Sequence, residues 1–400
     1  MKDMIYDPND FWCYALPVSG GLLVSQLALL QEVYDARVAA MGGKMCGYYS
    51  YAPNIVFGSS GGNVASFIGQ ASDWTSAGIE KNSQHINSKL FLKKWVPTEV
   101  SFIPDIPFIF TTGSLYNKGI GANDLFKELF TTESIQRTEM WLGTYDIVNK
   151  KAQFFCNTSQ ANSYISEPFF NEEQSLYYAM PLKFTDGDLD MNADVCIASA
   201  TIPGIVPSKE IDGVLYADGG VMYPSPLSVL NKEILRIVTG KERVPISNKT
   251  SYNNDSERNK EVIYTEHKEV IEKNLRLIYF FPYQPNGLEF DDGKKDIGIK
   301  SYLDSVLNVA MMQDRNTGIE LINTLCPDGI ETAEYSKVNN DELTEIFKLY
   351  STRKHYTICL YPHRNPAVNI ANADGRIVRE KMAGVRNNYG CQIWYSKVYK

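Results

Sequence analysis

Five residues constrain this chain more than any others: Gly58-Ser59-Ser60-Gly61-Gly62, a G-x-S-x-G pentapeptide. Its surroundings give it meaning. Asn54-Ile55-Val56-Phe57, just after Pro53, is a short apolar run that predicts a buried strand. Behind the pentapeptide, Val64, Phe67 and Ile68 are spaced for one face of a helix. A strand that becomes a helix within one turn forces Ser60 into strained backbone geometry, and flanking glycines let neighbouring segments approach closely. The hydroxyl then stands at a helix N-terminus, where unpaired N–H groups and the dipole favour developing negative charge. Ser60 is therefore a candidate nucleophile. A phosphate cradle is the weaker reading of these glycines, because no Lys-Ser/Thr pair follows them.

The strand at 53–58 and the helix from 61 follow a long helical pattern at 20–41, which Gly42-Gly43 ends. That alternation predicts a layered α/β domain. Residues 74–137 hold apolar and aromatic runs broken by proline and glycine, and two readings stand: core strands with their connections, or a cap over an apolar cleft. A hairpin is expected over 139–156, and the polar stretch 245–260 reads as an exposed insertion loop. Strand-like runs at 275–281 and 356–360, with a helix-like stretch near 300–325, predict that 270–400 completes the same sheet. The 400 residues are thus expected to form a single domain.

A formal charge of −8 without a basic cluster argues against a nucleic-acid partner. No apolar run is long enough to cross a bilayer, although local apolar surface can still touch lipid. Residues 1–7 carry acidic side chains and no apolar core, so no secretory signal is expected. Seven scattered cysteines, none paired as C-x-x-C, predict reduced buried thiols and neither a disulfide framework nor a zinc site. The expectation is an intracellular, cytoplasmic protein, at most peripheral at membranes.

Ser60 needs a group to take its proton. The histidines are four, His85, His267, His355 and His363, and none lies in a glycine-flanked loop after a strand. A second segment is more informative. Ala198-Ser199-Ala200-Thr201-Ile202-Pro203 leads, past the turn dipeptide Asp212-Gly213 that predicts a hairpin, to Asp218-Gly219-Gly220. A carboxylate touching a serine hydroxyl can act as its base without imidazole if the site is dry enough to raise its basicity. Gly219 and Gly220 would let the Asp218 turn pass close to the elbow.

The serine elbow, the A-S-x-x-x-P segment leading to D-G-G, and Ser19-Gly20-Gly21 forty residues ahead of Ser60 come in the order of the patatin-like phospholipase family. The chain resembles that family at motif level over about 15–230. The resemblance implies a central, mainly parallel sheet flanked by helices and a serine lipid acyl hydrolase of the phospholipase A or lysophospholipase type. It implies a catalytic dyad of Ser60 and Asp218, an oxyanion hole from the N–H groups of Gly20, Gly21 and Gly61, and supporting roles for Gly58, Gly62, Gly219 and Gly220. The substrate is a lipid or acyl ester, and no metal or organic cofactor is required.

The chain departs from the family's G-G-G-x-R-G loop at Leu22, Val24 and Ser25, and Tyr223 to Pro226 replace its asparagine after D-G-G. Two rivals follow: a patatin-fold lipid-binding or scaffold protein that has lost activity, and a histidine-dependent esterase. If Leu22 crowds the loop, Leu22→Gly would raise turnover.

Overall fold

The structure is a computed structural model that describes residues 10–42, 51–86, 129–130, 138–157, 182–201, 208–221, 227, 273–282, 299–363, 374–386 and 388–400. Its strands are β1 (Asp10–Leu16), β2 (Ile55–Ser59), β3 (Glu139–Asp146), β4 (Lys151–Cys156), β5 (Leu182–Phe184), β6 (Lys209–Ile211), β7 (Val214–Asp218), β8 (Asn274–Phe280), β9 (Ile330–Val338), β10 (Tyr356–Pro362) and β11 (Tyr389–Ser396). Its helices are α1 (Leu23–Ala40), α2 (Gly61–Ala71), α3 (Ser76–Ser83), α4 (Leu189–Ser199), α5 (Ile299–Leu325), α6 (Asn340–Tyr350) and α7 (Gly375–Arg386).

All these strands belong to one sheet, in the order β5-β4-β3-β2-β1-β8-β10-β11-β9, with β7 joined to β3 and β6 to β7. The central five, β3-β2-β1-β8-β10, run parallel to one another. Antiparallel pairs flank them, β3 with β4 on one side and β10 with β11 on the other. The late strands do extend the sheet that carries β2.

Central parallel strands are buried on both faces, so their sequences show no polar–apolar alternation. In β1, Tyr14 and Leu16 face one core, shared with Leu27 and Val33 of α1, Val64 of α2 and Leu343 of α6. Cys13 and Ala15 face the other, shared with Phe57, Leu277 and Leu321 of α5. Burying one such side chain is worth about 1.5–3 kcal/mol, and each face gathers more than a dozen. Arg386 of α7 locks onto α1 through Glu32 at 2.6 Å and Asp35 at 2.7 Å.

One detail of register positions everything that follows. β2 runs along β3 from Glu139 to Gly143 and stops with Ser59 opposite Gly143. β4 occupies the other edge of β3, so β7 takes up the vacated edge, with Asp218 opposite Thr144. Ser60 and Asp218 therefore leave their strands at consecutive positions along one edge.

The expected hairpin at 139–156 is β3–β4, and Asp212-Gly213 joins β6 to β7 with both residues at positive φ, 50° and 75°. The helical pattern at 20–41 divides into a 3₁₀ turn, Gly20–Leu22, and α1. Of 74–137, α3 packs on α1 and Phe130 stacks edge-on against Phe67 at 5.1 Å, as core elements. The aromatic runs at 90–110, the 245–260 loop and residues 202–207 lie outside the described residues.

Candidate active site

Ser60 sits between β2 and α2 with φ 53° and ψ −125°, a conformation that side chains with a Cβ avoid. The elbow is this tight because α2 begins directly over the preceding chain: a Cβ on Gly62 would strike the carbonyl of Leu16. Gly61 rests against the glycine loop, where a Cβ would come within 2.5 Å of Ser19 Oγ and 2.7 Å of the Gly20 nitrogen. Gly58 leaves room for Asn63, and Gly219 lies so close to the Gly143 carbonyl that no Cβ fits there.

The Ser60 hydroxyl donates to Asp218 Oδ2 at 2.6 Å, across 158 residues of sequence. The other carboxylate oxygen, Oδ1, accepts the Gly220 N–H at 2.8 Å. Both Ser60 and Asp218 are 3% exposed. Burial raises the Asp218 carboxyl from its ordinary 3.8 to about 7, against the lowering effect of the bonds from Ser60 and Gly220. A carboxylate near neutrality and in contact with a hydroxyl has the basicity that proton abstraction needs.

The sequence left Ser199 without a role, but the structure brings it to the elbow. Its Oγ accepts the Ser60 N–H at 2.8 Å and donates to the Gly143 carbonyl at 2.6 Å. Two residues on, the Thr201 carbonyl accepts the Asp218 N–H at 3.0 Å.

Gly20 and Gly21 open the 3₁₀ turn ahead of α1, and Gly61 is the first residue of α2. The first N–H groups of a helix have no partner within it, and the Gly20 nitrogen lies against Gly61, next to Ser60. The loop is braced from behind. Ser19 Oγ donates to Gln26 Oε1 at 2.8 Å, and Gln26 Nε2 donates to the carbonyls of Pro17 at 2.8 Å and Phe280 at 3.3 Å.

Leu22 does not crowd this loop. Its φ of −84° asks for no glycine, and its side chain is buried with Phe11, Val18 and Phe57. Val24 is likewise core, and Ser25 Oγ lies 2.6 Å from the Leu22 carbonyl and 3.0 Å from that of Pro282. The departures from the family loop are thus packing residues, which removes the reason for expecting Leu22→Gly to help.

Among the described residues no histidine is bonded to Ser60. His355 is buried at the start of β10, where its Nδ1 accepts the Leu275 N–H at 3.1 Å. Burial, then Lys354 and Arg276, push it down to about 3. The His363 ring stands edge-on to Tyr361 at 5.8 Å, His85 follows α3, and His267 lies outside the described residues. Among the described residues, no helix is long and apolar enough to cross a membrane.

Residues 36–231 match the family model described as Patatin-like phospholipase. That span holds the elbow and the D-G-G turn, while β1 and the Gly20-Gly21 loop precede it and β8–β11 follow it. No curated protein matches the chain. Residues 36–231 are thus a domain of the patatin-like phospholipase family, lipid acyl hydrolases at the family level, and the helix-flanked, centrally parallel sheet fits that fold.

Proposed function

We propose that this protein is a serine lipid acyl hydrolase working through a Ser60–Asp218 dyad. The observation that carries the reading is the 2.6 Å bond from the Ser60 hydroxyl to a buried carboxyl raised to about 7. Ser60 Oγ attacks the ester carbonyl while Asp218 Oδ2 takes its proton. The N–H groups of Gly20, Gly21 and Gly61 hold the oxyanion, and its collapse expels the alcohol, which carries off the proton from Asp218. Water then attacks the acyl-serine, gives a proton to Asp218, and release of the fatty acid returns that proton to Ser60. No cofactor takes part.

The reading extends to the setting. One domain over 1–400 is supported by the single sheet that unites β1 with β11. Peripheral membrane contact is supported by Val148, 59% exposed, and Leu215, 41% exposed, at the same end of the sheet as Ser60. An intracellular location is supported by the burial, among the described residues, of Cys13, Cys156, Cys196, Cys326, Cys359 and Cys391.

Purified protein should release fatty acid from a micellar phospholipid, a lysophospholipid or a short-chain ester. Ser60→Ala and Asp218→Asn should each lower that release by about 10⁴-fold or more. Equal residual release from all three proteins would mark contamination. It would favour the second reading, an inactive lipid-binding protein, which the replacement of the family's loop arginine by Val24 supports.

A further inference from the structure

We propose that Ser199 is a positioning residue of this site, a hydroxyl bracket that holds the Ser60 backbone in the conformation from which its side chain reaches Asp218. The inference rests on the dyad reading above.

Three observations converge on it. Ser60 occupies an unfavourable backbone region, which persists only where surroundings impose it. The Ser199 hydroxyl spends its donor on the Gly143 carbonyl and uses its oxygen to accept the Ser60 N–H, so one buried side-chain atom ties the elbow amide to the end of the β2–β3 ladder. Ser199 is fully buried, and both its bonds are short and directed at backbone, not at another side chain.

The same turn holds the other partner. The Thr201 carbonyl accepts the Asp218 N–H, and Thr201 Oγ1 closes the turn by donating to the Ala198 carbonyl at 2.7 Å. The end of α4 thus grips the backbone of both residues whose side chains meet, one through Ser199 and one through Thr201. A hydroxyl is the fitting group at 199, because it must accept and donate at once in a space that α4 and β3 close off. Alanine would leave both the Ser60 N–H and the Gly143 carbonyl without their partner.

Ser199→Ala should therefore lower kcat by about a hundred-fold on a water-soluble ester, with KM unchanged, as misplacement of reacting atoms does. The groups that bear on Asp218 are its burial, the Ser60 hydroxyl and the Gly220 N–H. Loss of the bond from Ser60 should move the acidic limb of kcat/KM to higher pH, which a merely structural loss would not do. Ser199→Cys keeps a weak donor and acceptor in similar volume and should recover part of the rate. A crystal structure of Ser199→Ala, or of Ser199→Gly if the alanine variant does not fold, reads the geometry directly. Widening of the Ser60 Oγ–Asp218 Oδ2 separation beyond hydrogen-bond reach supports the bracket. A separation still at 2.6 Å overturns it, as does wild-type kcat with an unmoved limb. The structural arm decides even if wild type proves inactive, in which case the hydrolase reading fails by itself.

Discussion

Ser60 and Gly20, which lies against the neighbouring Gly61, have nearly the same φ, 53° and 51°, yet the chain supports them by opposite means. Ser60 carries a Cβ in a region that penalises one, and it is surrounded by partners: Ser199 on its amide, Asp218 on its hydroxyl. Gly20 has no Cβ to penalise, and a methyl built there meets nothing within 4 Å. Strain is concentrated at the elbow serine, while the glycine loop stays relaxed and lets Leu22 and Val24 serve the core. The contrast explains how the loop can depart from the family pattern while the elbow and the D-G-G turn do not.

The largest test concerns the partner that holds Ser60. Because Asp218 is raised from 3.8 to about 7, the fold favours its protonated form. Its contribution to stability is complete below about pH 4 and is lost as pH rises through about 7. Asp218→Asn should therefore be more stable than wild type at pH 8, by on the order of 4 kcal/mol, and nearly equal to it at pH 4. Wild-type kcat/KM should climb across the same interval as the base ionises. Chemical denaturation at the two pH values, beside a pH–rate profile, checks both; a stability gain independent of pH would refute the assignment.

Leu22→Gly tests the other side of the comparison. Removing a buried leucine and adding backbone freedom should cost about 3 kcal/mol or more, seen as a lower denaturation midpoint, with no rise in turnover per folded molecule. Faster turnover would mean that the loop is crowded after all. Gly20→Ala isolates φ, since the added methyl has open space: about 1–2 kcal/mol should be lost and no packing disturbed. The smallest effect belongs to His355→Asn. The amide oxygen can still accept from Leu275, so ester turnover should match wild type, and a large loss would revive a histidine mechanism.

The elbow and the D-G-G turn were legible in the sequence because close backbone approach admits so few residue types. The Asp212-Gly213 hairpin was legible for the same local reason. β1 was not, because DFWCYAL is buried on both faces and shows no alternation. The role of Ser199 was hidden although its motif was noticed: it depends on a contact 139 residues away. The fate of Leu22 was misread because a gap in a loop pattern says nothing about which way the substituted side chain turns.

The shared edge of β3 acts as a ruler. Ser60 and Asp218 are spaced by the pitch of one strand, not by the 158-residue path that connects them. Insertions within that path can therefore accumulate while the spacing of the two bonded oxygens stays put. A single residue inserted into β7 is another matter, since it would turn the strand over and send Asp218 to the opposite face. Under the proposed dyad, specificity is free to drift through length changes that would silence the chemistry if they fell a few positions away.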